Sequence, residues 1–225
     1  MDQEKKSEKS RAAILEAALD LFSSQGYRGT SIREIAERAR VSTGNVYHHF
    51  TDKETIFQTL LGQYWAAIEG ADLPFNKALA AGRFPENIEE IAAGARESVR
   101  QYRKHIALIY VDVVELSGNH IRKFYSDMGA RFERFLASHR AEALSSDMRP
   151  GVTPSTAVML VSRFFLHYWA VEMLFGVPNQ FGRDTELVVR EVAGIFRRGI
   201  LREGGESAGA IATAAARPML ARSRR

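Results

Sequence analysis

The chain has 225 residues, 45% of them hydrophobic and 26% charged, the proportions of a globular protein long enough to bury a real core. Zero cysteines exclude a disulfide framework, a thiolate zinc site and a cysteine nucleophile, and they fit a reducing cytoplasm. The formal net charge is +4, yet residues 1–60 carry nine Lys/Arg and nine Asp/Glu, so any contact with nucleic acid must come from local arrangement rather than bulk charge. The longest uninterrupted apolar run, Ile106 to Val111, is far shorter than the roughly twenty residues of a spanning helix, so no membrane segment or membrane partner is expected. The charged amino terminus lacks the apolar stretch of a secretory signal.

Apolar residues recur at helical spacing throughout, and no stretch alternates with period 2 between hairpin turns, which predicts an all-α fold of about nine helices. The first, over about residues 8–25, places Ile14, Leu15, Ala18, Leu19 and Phe22 on one face and stops at Gln25-Gly26, where glycine suits a left-handed cap. Ser31-Ile32-Arg33-Glu34 has the capping-box form and opens a short helix with Ile32, Ile35, Ala36 and Ala39 inward. After a turn at Arg40-Val41, Ser42 caps about two turns from Thr43 to His49, and Asp52 caps a longer helix to about Ile68.

Two short helices joined by a tight turn and packed on a longer first helix make a helix-turn-helix, here over residues 31–50, whose second helix reads DNA. With Val46 facing inward, Phe50 falls about 40° away on the same side. Gly44 and His48 then point outward, Asn45 and Tyr47 flank them, and Thr43 sits at the exposed amino end. Glycine on that face costs roughly 1 kcal/mol of helix stability but lets a groove approach the backbone. His48 and His49 point about 100° apart and cannot easily share a metal ion. With no phosphate-binding loop or zincin motif in the chain, no cofactor is expected.

The run Thr30-Ser31-Ile32-Arg33-Glu34-Ile35-Ala36, followed by Val41-Ser42-Thr43-Gly44-Asn45-Val46-Tyr47-His48-His49-Phe50 and Asp52-Lys53-Glu54, resembles the tetracycline-repressor (TetR) family over about residues 8–68. The resemblance implies a cytoplasmic, homodimeric, all-helical transcriptional regulator, most often a repressor. Its larger carboxy-terminal domain would bind a small ligand and the partner subunit. By the same resemblance, Thr30, Ser42, Tyr47 and Lys53 meet the phosphates of an operator duplex, whereas Thr43, Gly44, Asn45 and His48 lie where base edges are approached. That division fits the chemistry, since hydroxyls and a lysine point charge hold phosphate oxygens without reading sequence. Many relatives carry lysine or tyrosine where Thr43 or His48 stands, so a base preference does not transfer.

Gly70, Pro74, Gly82 and Pro85 make residues 70–85 read as a flexible loop leading into a second domain over 86–202. Helices are expected there over about 86–103, from His105 to Leu116, from Ser117-Gly118 to about Met148, over about 154–176 and over about 183–202. In the family the last two pair with their twins in a four-helix bundle, and these sequences suit that homodimer, with Gly194 and Gly199 permitting close approach. Asp112, Glu115, Arg163 and His167 stand on otherwise apolar helices, where an unpaired charge is expensive to bury. They are candidates to orient a ligand among Tyr64, Trp65, Tyr102, Tyr110, Phe124, Phe165 and Trp169; the alternative is that they pair with one another or meet solvent. A cavity so lined favours a small hydrophobic or aromatic effector. A DNA-binding dimer without an effector is the alternative function. The tail over 203–225 reads as disordered, and its Gly205-Glu206-Ser207-Ala208-Gly209 lacks the preceding strand and following histidine of a hydrolase elbow, so no enzyme is expected.

Overall fold

The computed structural model describes residues 2–81, 84–138 and 148–202. Among these, the named elements are all helices: α1 (Asp2–Gln25), α2 (Ile32–Ala39), α3 (Thr43–His49), α4 (Lys53–Glu69), α5 (Pro74–Ala80), α6 (Ile88–Gln101), α7 (Arg103–Glu115), α8 (Asn119–Ser138), α9 (Pro154–Leu174) and α10 (Thr185–Ile200). The expected tail over 203–225 lies outside the described residues.

Two expectations are corrected. α1 begins at Asp2 rather than near residue 8, because its Lys- and Glu-rich start is made of good helix formers. The stretch expected to be a loop contains α5: Pro74 occupies the first turn, where its missing N–H would have had no partner, and Phe75 and Leu79 are buried. Asn76 ties α5 back to the end of α4 by donating to the carbonyls of Ile68 and Gly70 at 2.8 and 2.9 Å. A Cβ at Gly94 of α6 would stand 2.7 Å from the Pro74 carbonyl oxygen, so glycine is what allows α5 and α6 to pack so closely.

Buried side chains gather in two cores. One joins α1 to α4 through Ile14, Ala18, Phe22, Ile35, Val46, Phe57 and Leu60, and it also takes in Leu108 of α7. The other joins α5, α6, α9 and α10 through residues such as Ile91, Val99, Val161, Phe165, Trp169 and Val188. α7 therefore contributes Leu108 to the first core, packs Ile106 against the second, and links α6 to α8. Among the described helices, α9 is long and apolar enough by composition to cross a membrane, a property its short apolar runs do not reveal. Its buried face, including Trp169, whose Nε1 donates to the Ala92 carbonyl at 2.8 Å, packs on α6 as a core helix does. Arg149 N–H donates to the Ile200 carbonyl at 2.8 Å, fastening the entry to α9 onto the end of α10.

Candidate nucleic-acid interface

The local chemistry of α2 and α3 fixes their geometry. Ser31 and Glu34 form a reciprocal capping box: the Glu34 N–H donates to Ser31 Oγ, and the Ser31 N–H donates to Glu34 Oε2 at 2.8 Å. α2 ends on Arg40 in the left-handed region, at φ 58°, and the chain reverses into Ser42, whose Oγ accepts the Asn45 N–H at 3.1 Å. Val46 has no exposed surface and Phe50 closes the helix against the core. With those two inward, Thr43, Gly44, Tyr47 and His48 are exposed, Tyr47 by 55%. At Gly44 a Cβ would meet only Ser42 Oγ, at 3.9 Å, so nothing inside the fold requires glycine there.

Three of the eight expected DNA contacts are already engaged elsewhere. Thr30 is 1% exposed and donates its hydroxyl to the Gly26 carbonyl at 2.7 Å, holding the loop after α1. Lys53 Nζ donates to the carbonyls of Tyr27 and Thr30, both at 2.7 Å, and lies 4.2 Å from the Tyr27 ring centre. Partial burial pulls its pKa below the usual lysine value, against the opposing pull of Glu115 and Glu34. Both residues thus brace the loop that carries α2, instead of presenting free groups to phosphate. Asn45 is half-turned away from the outer face, where its Oδ1 accepts the Ser10 hydroxyl of α1. Ser42, Thr43, Gly44, Tyr47 and His48 remain on one open surface.

The expected aromatic ligand residues divide among an aromatic group, the Tyr110–Phe175 pair and the second core. Trp65 and Phe124 stack with ring centres 3.9 Å apart, and Tyr102 meets Tyr64 at 5.5 Å in the same aromatic group. Tyr64 also stacks on His105, which no motif or spacing singles out. Burial raises the Tyr64 pKa and lowers that of His105, keeping both rings neutral near pH 7. Tyr110 stands partly exposed with its ring against Phe175. Phe165 and Trp169 are core residues.

Asp112 and Glu115 do not join Arg163 and His167 around one cavity. The fully buried Asp112 carboxylate accepts N–H groups from His120 and Ile121 at 3.2 and 2.9 Å, and its other oxygen meets His120 Nδ1 at 2.6 Å, so it caps the start of α8. Glu115 turns to the loop after α1, accepting the Arg28 N–H at 2.5 Å, while Arg28 Nη2 donates to the Glu115 carbonyl. Both carboxylates are structural, and they sit where α7 meets the amino-terminal core. His120, also missed by sequence reasoning, touches the Phe57 ring and lies 3.7 Å from Glu54 of α4. Arg163 and His167 line an open groove of about 420 Å³ on the outer side of α9 with Leu160, Phe164, Tyr168 and Phe181. There the Arg163 guanidinium lies 5.6 Å from the centre of the Tyr125 ring.

A capped two-turn helix with one face in a core and the other open, held by a tight turn to a preceding helix, is the arrangement of a helix-turn-helix DNA-binding protein. Comparison with known proteins narrows it. Residues 14–60 match the family model for bacterial regulatory proteins of the tetR family. The regulator HbdR of Aromatoleum sp. (strain CIB) is 52% identical over 54 residues, 24% of each chain. The repressor KstR2 of Rhodococcus jostii (strain RHA1) is 25% identical over 123 residues, 54% of this chain and 59% of that one. The matched segments thus span less than two thirds of these relatives. The crystal structure of NalD, the secondary repressor of the MexAB-OprM multidrug efflux pump in Pseudomonas aeruginosa, superposes on 88% of this chain and 99% of its own with a TM-score of 0.59 at 23% identity. The amino-terminal module belongs to the tetR family, and the remaining helices share the fold of that solved repressor.

Proposed function

We propose that the protein is a cytoplasmic transcriptional repressor that binds a palindromic operator as a homodimer and is released by a small hydrophobic or aromatic effector. The observation that carries this reading is the open face of α3, where Thr43, Gly44, Tyr47 and His48 stand together on a rigidly capped helix. Base edges would be approached through Thr43, Gly44 and His48, and phosphates would be held by Ser42 and Tyr47. KstR2 and NalD, both described as repressors, support the sign of the regulation.

Dimerisation through α9 and α10 is supported by large apolar side chains left in the open on and beside those helices: Leu160, Phe175, Phe181, Leu187 and Ile195 are each about half exposed. The effector reading rests on the aromatic group around Trp65, Tyr102 and Phe124, between the two cores. Arg163 and His167, on the outer side of α9, are the remaining polar candidates for holding a ligand. Ligand in that region would bias α7, whose last turn is bonded to the loop after α1, and so change the spacing of two recognition helices. The test is selection of duplexes from a random-sequence pool by the full chain, followed by a screen for small aromatic compounds that both raise its melting temperature and release the selected duplex. Recovery of a palindrome and of such a compound supports the proposal. Failure to enrich any sequence overturns the operator reading, and compounds that stabilise the chain without releasing the duplex overturn the effector reading.

A further inference from the structure

Along α1 the stripe that faces the amino-terminal core changes character toward the start of the helix. Phe22, Ala18 and Ile14 are completely buried. One turn earlier, Ser10 donates its hydroxyl to Asn45 on α3. Beyond Ser10, at the same helical spacing, come Ser7, Lys6 and Gln3. These three residues overhang the recognition helix, and with Ser42, His48 and His49 they line an open cleft of about 370 Å³. No carboxylate lines that cleft. The acidic residues of the same segment, Glu4 and Glu8, lie roughly 160° around α1 from Lys6.

A wall that is apolar while it packs, and turns to one cation, one amide and one hydroxyl as it leaves the core, is built for a polar anionic neighbour. Its opposite wall includes His48, which points out from α3. We infer that Gln3, Lys6 and Ser7 form a second DNA-contacting element, in which Lys6 Nζ neutralises one phosphate of the strand beside the groove that α3 enters. The inference rests on the DNA-binding reading above and extends it to residues outside the 14–60 segment that matches the tetR family. Lys6 acts as a point charge, with Ser7 and Gln3 as neutral donors, so the element positions the duplex without reading its sequence. The Ser10–Asn45 bond and the shared core make it move as one body with α3.

The experiment measures binding of the full chain by fluorescence anisotropy, over a salt series, to a palindromic duplex recovered from a random pool and to a scrambled duplex. With one phosphate per protomer, Lys6→Ala should make the log–log salt slope shallower by about 0.9 per protomer and weaken both duplexes by the same factor. Lys6→Arg should keep the wild-type slope, Ser7→Glu should weaken binding further than Lys6→Ala, and Lys123→Ala on the exposed surface of α8 should change nothing. All three positions are exposed, so melting temperatures should stay at the wild-type value. A wild-type slope in Lys6→Ala, with wild-type protein binding normally, overturns this inference alone. Failure of the wild-type chain to bind any duplex overturns the DNA-binding reading and takes this inference with it.

Discussion

At Lys53 the ammonium holds two carbonyls at 2.7 Å and covers the Tyr27 ring, and the fold has used this charge before any phosphate can. Lys53→Ala should therefore lower stability by about 2 kcal/mol, the scale of a charge-assisted hydrogen bond, in urea unfolding. It should leave the salt slope of duplex binding unchanged; a shallower slope would return Lys53 to the phosphate contacts. Gly44 presents the opposite case. Its helical position has room for a methyl group, so Gly44→Ala should stabilise the protein by roughly 0.5–1 kcal/mol. The same substitution should weaken duplex binding if the groove approaches the backbone there, and an alanine variant that binds as well as wild type removes that reason for the glycine. Motif position put Gly44 on the outward face of α3, where it stands exposed, and put Lys53 among the phosphate contacts. It could not show that a lysine at the start of α4 bends back over the preceding loop, because that depends on where two carbonyls separated along the chain come together.

Among the elements, α2 and α3 were legible because their signals are local: a capping box, a serine cap and an inward Val46 and Phe50. The left-handed Arg40 that turns one helix into the other was not announced by glycine or asparagine. α5 is hidden in a stretch rich in Gly and Pro, because Pro74 there opens a helix, whose Phe75 and Leu79 are buried, instead of breaking one. The junction of α7 and α8 shows the deeper limit. Asp112 on an apolar helix looked like a ligand fixture, but Ser117 and Gly118, both at positive φ, turn the chain so that α8 starts on its carboxylate. Asp112→Ala should leave those donors buried without an acceptor and cost roughly 3 kcal/mol in chemical denaturation. A variant as stable as wild type would mean the carboxylate is dispensable to α8. It would then again be free to serve a ligand.

Over the whole molecule, the second core was legible as helical periodicity, but its outer face could not be assigned to a partner or to solvent by spacing alone. The half-exposed Leu160 and Ile195 are the clearest candidates for contact between two copies of the chain. A double change, Leu160→Glu with Ile195→Glu, should convert the dimer to a folded monomer in sedimentation velocity while the helical circular dichroism is retained. A dimer that persists would place the interface elsewhere. Dimerisation matters to the central claim because two α3 helices must reach adjacent major grooves on one face of the duplex, with half-sites one helical turn or a multiple apart. That claim is tested most directly by stoichiometric and salt-dependent binding of the full chain to the palindrome it selects from a random pool. The account predicts an even number of chains per palindrome, an affinity that falls steeply with salt, and loss of sequence preference of roughly 1–3 kcal/mol in His48→Ala. Tight binding of one chain to a single half-site, or affinity independent of salt, would contradict it.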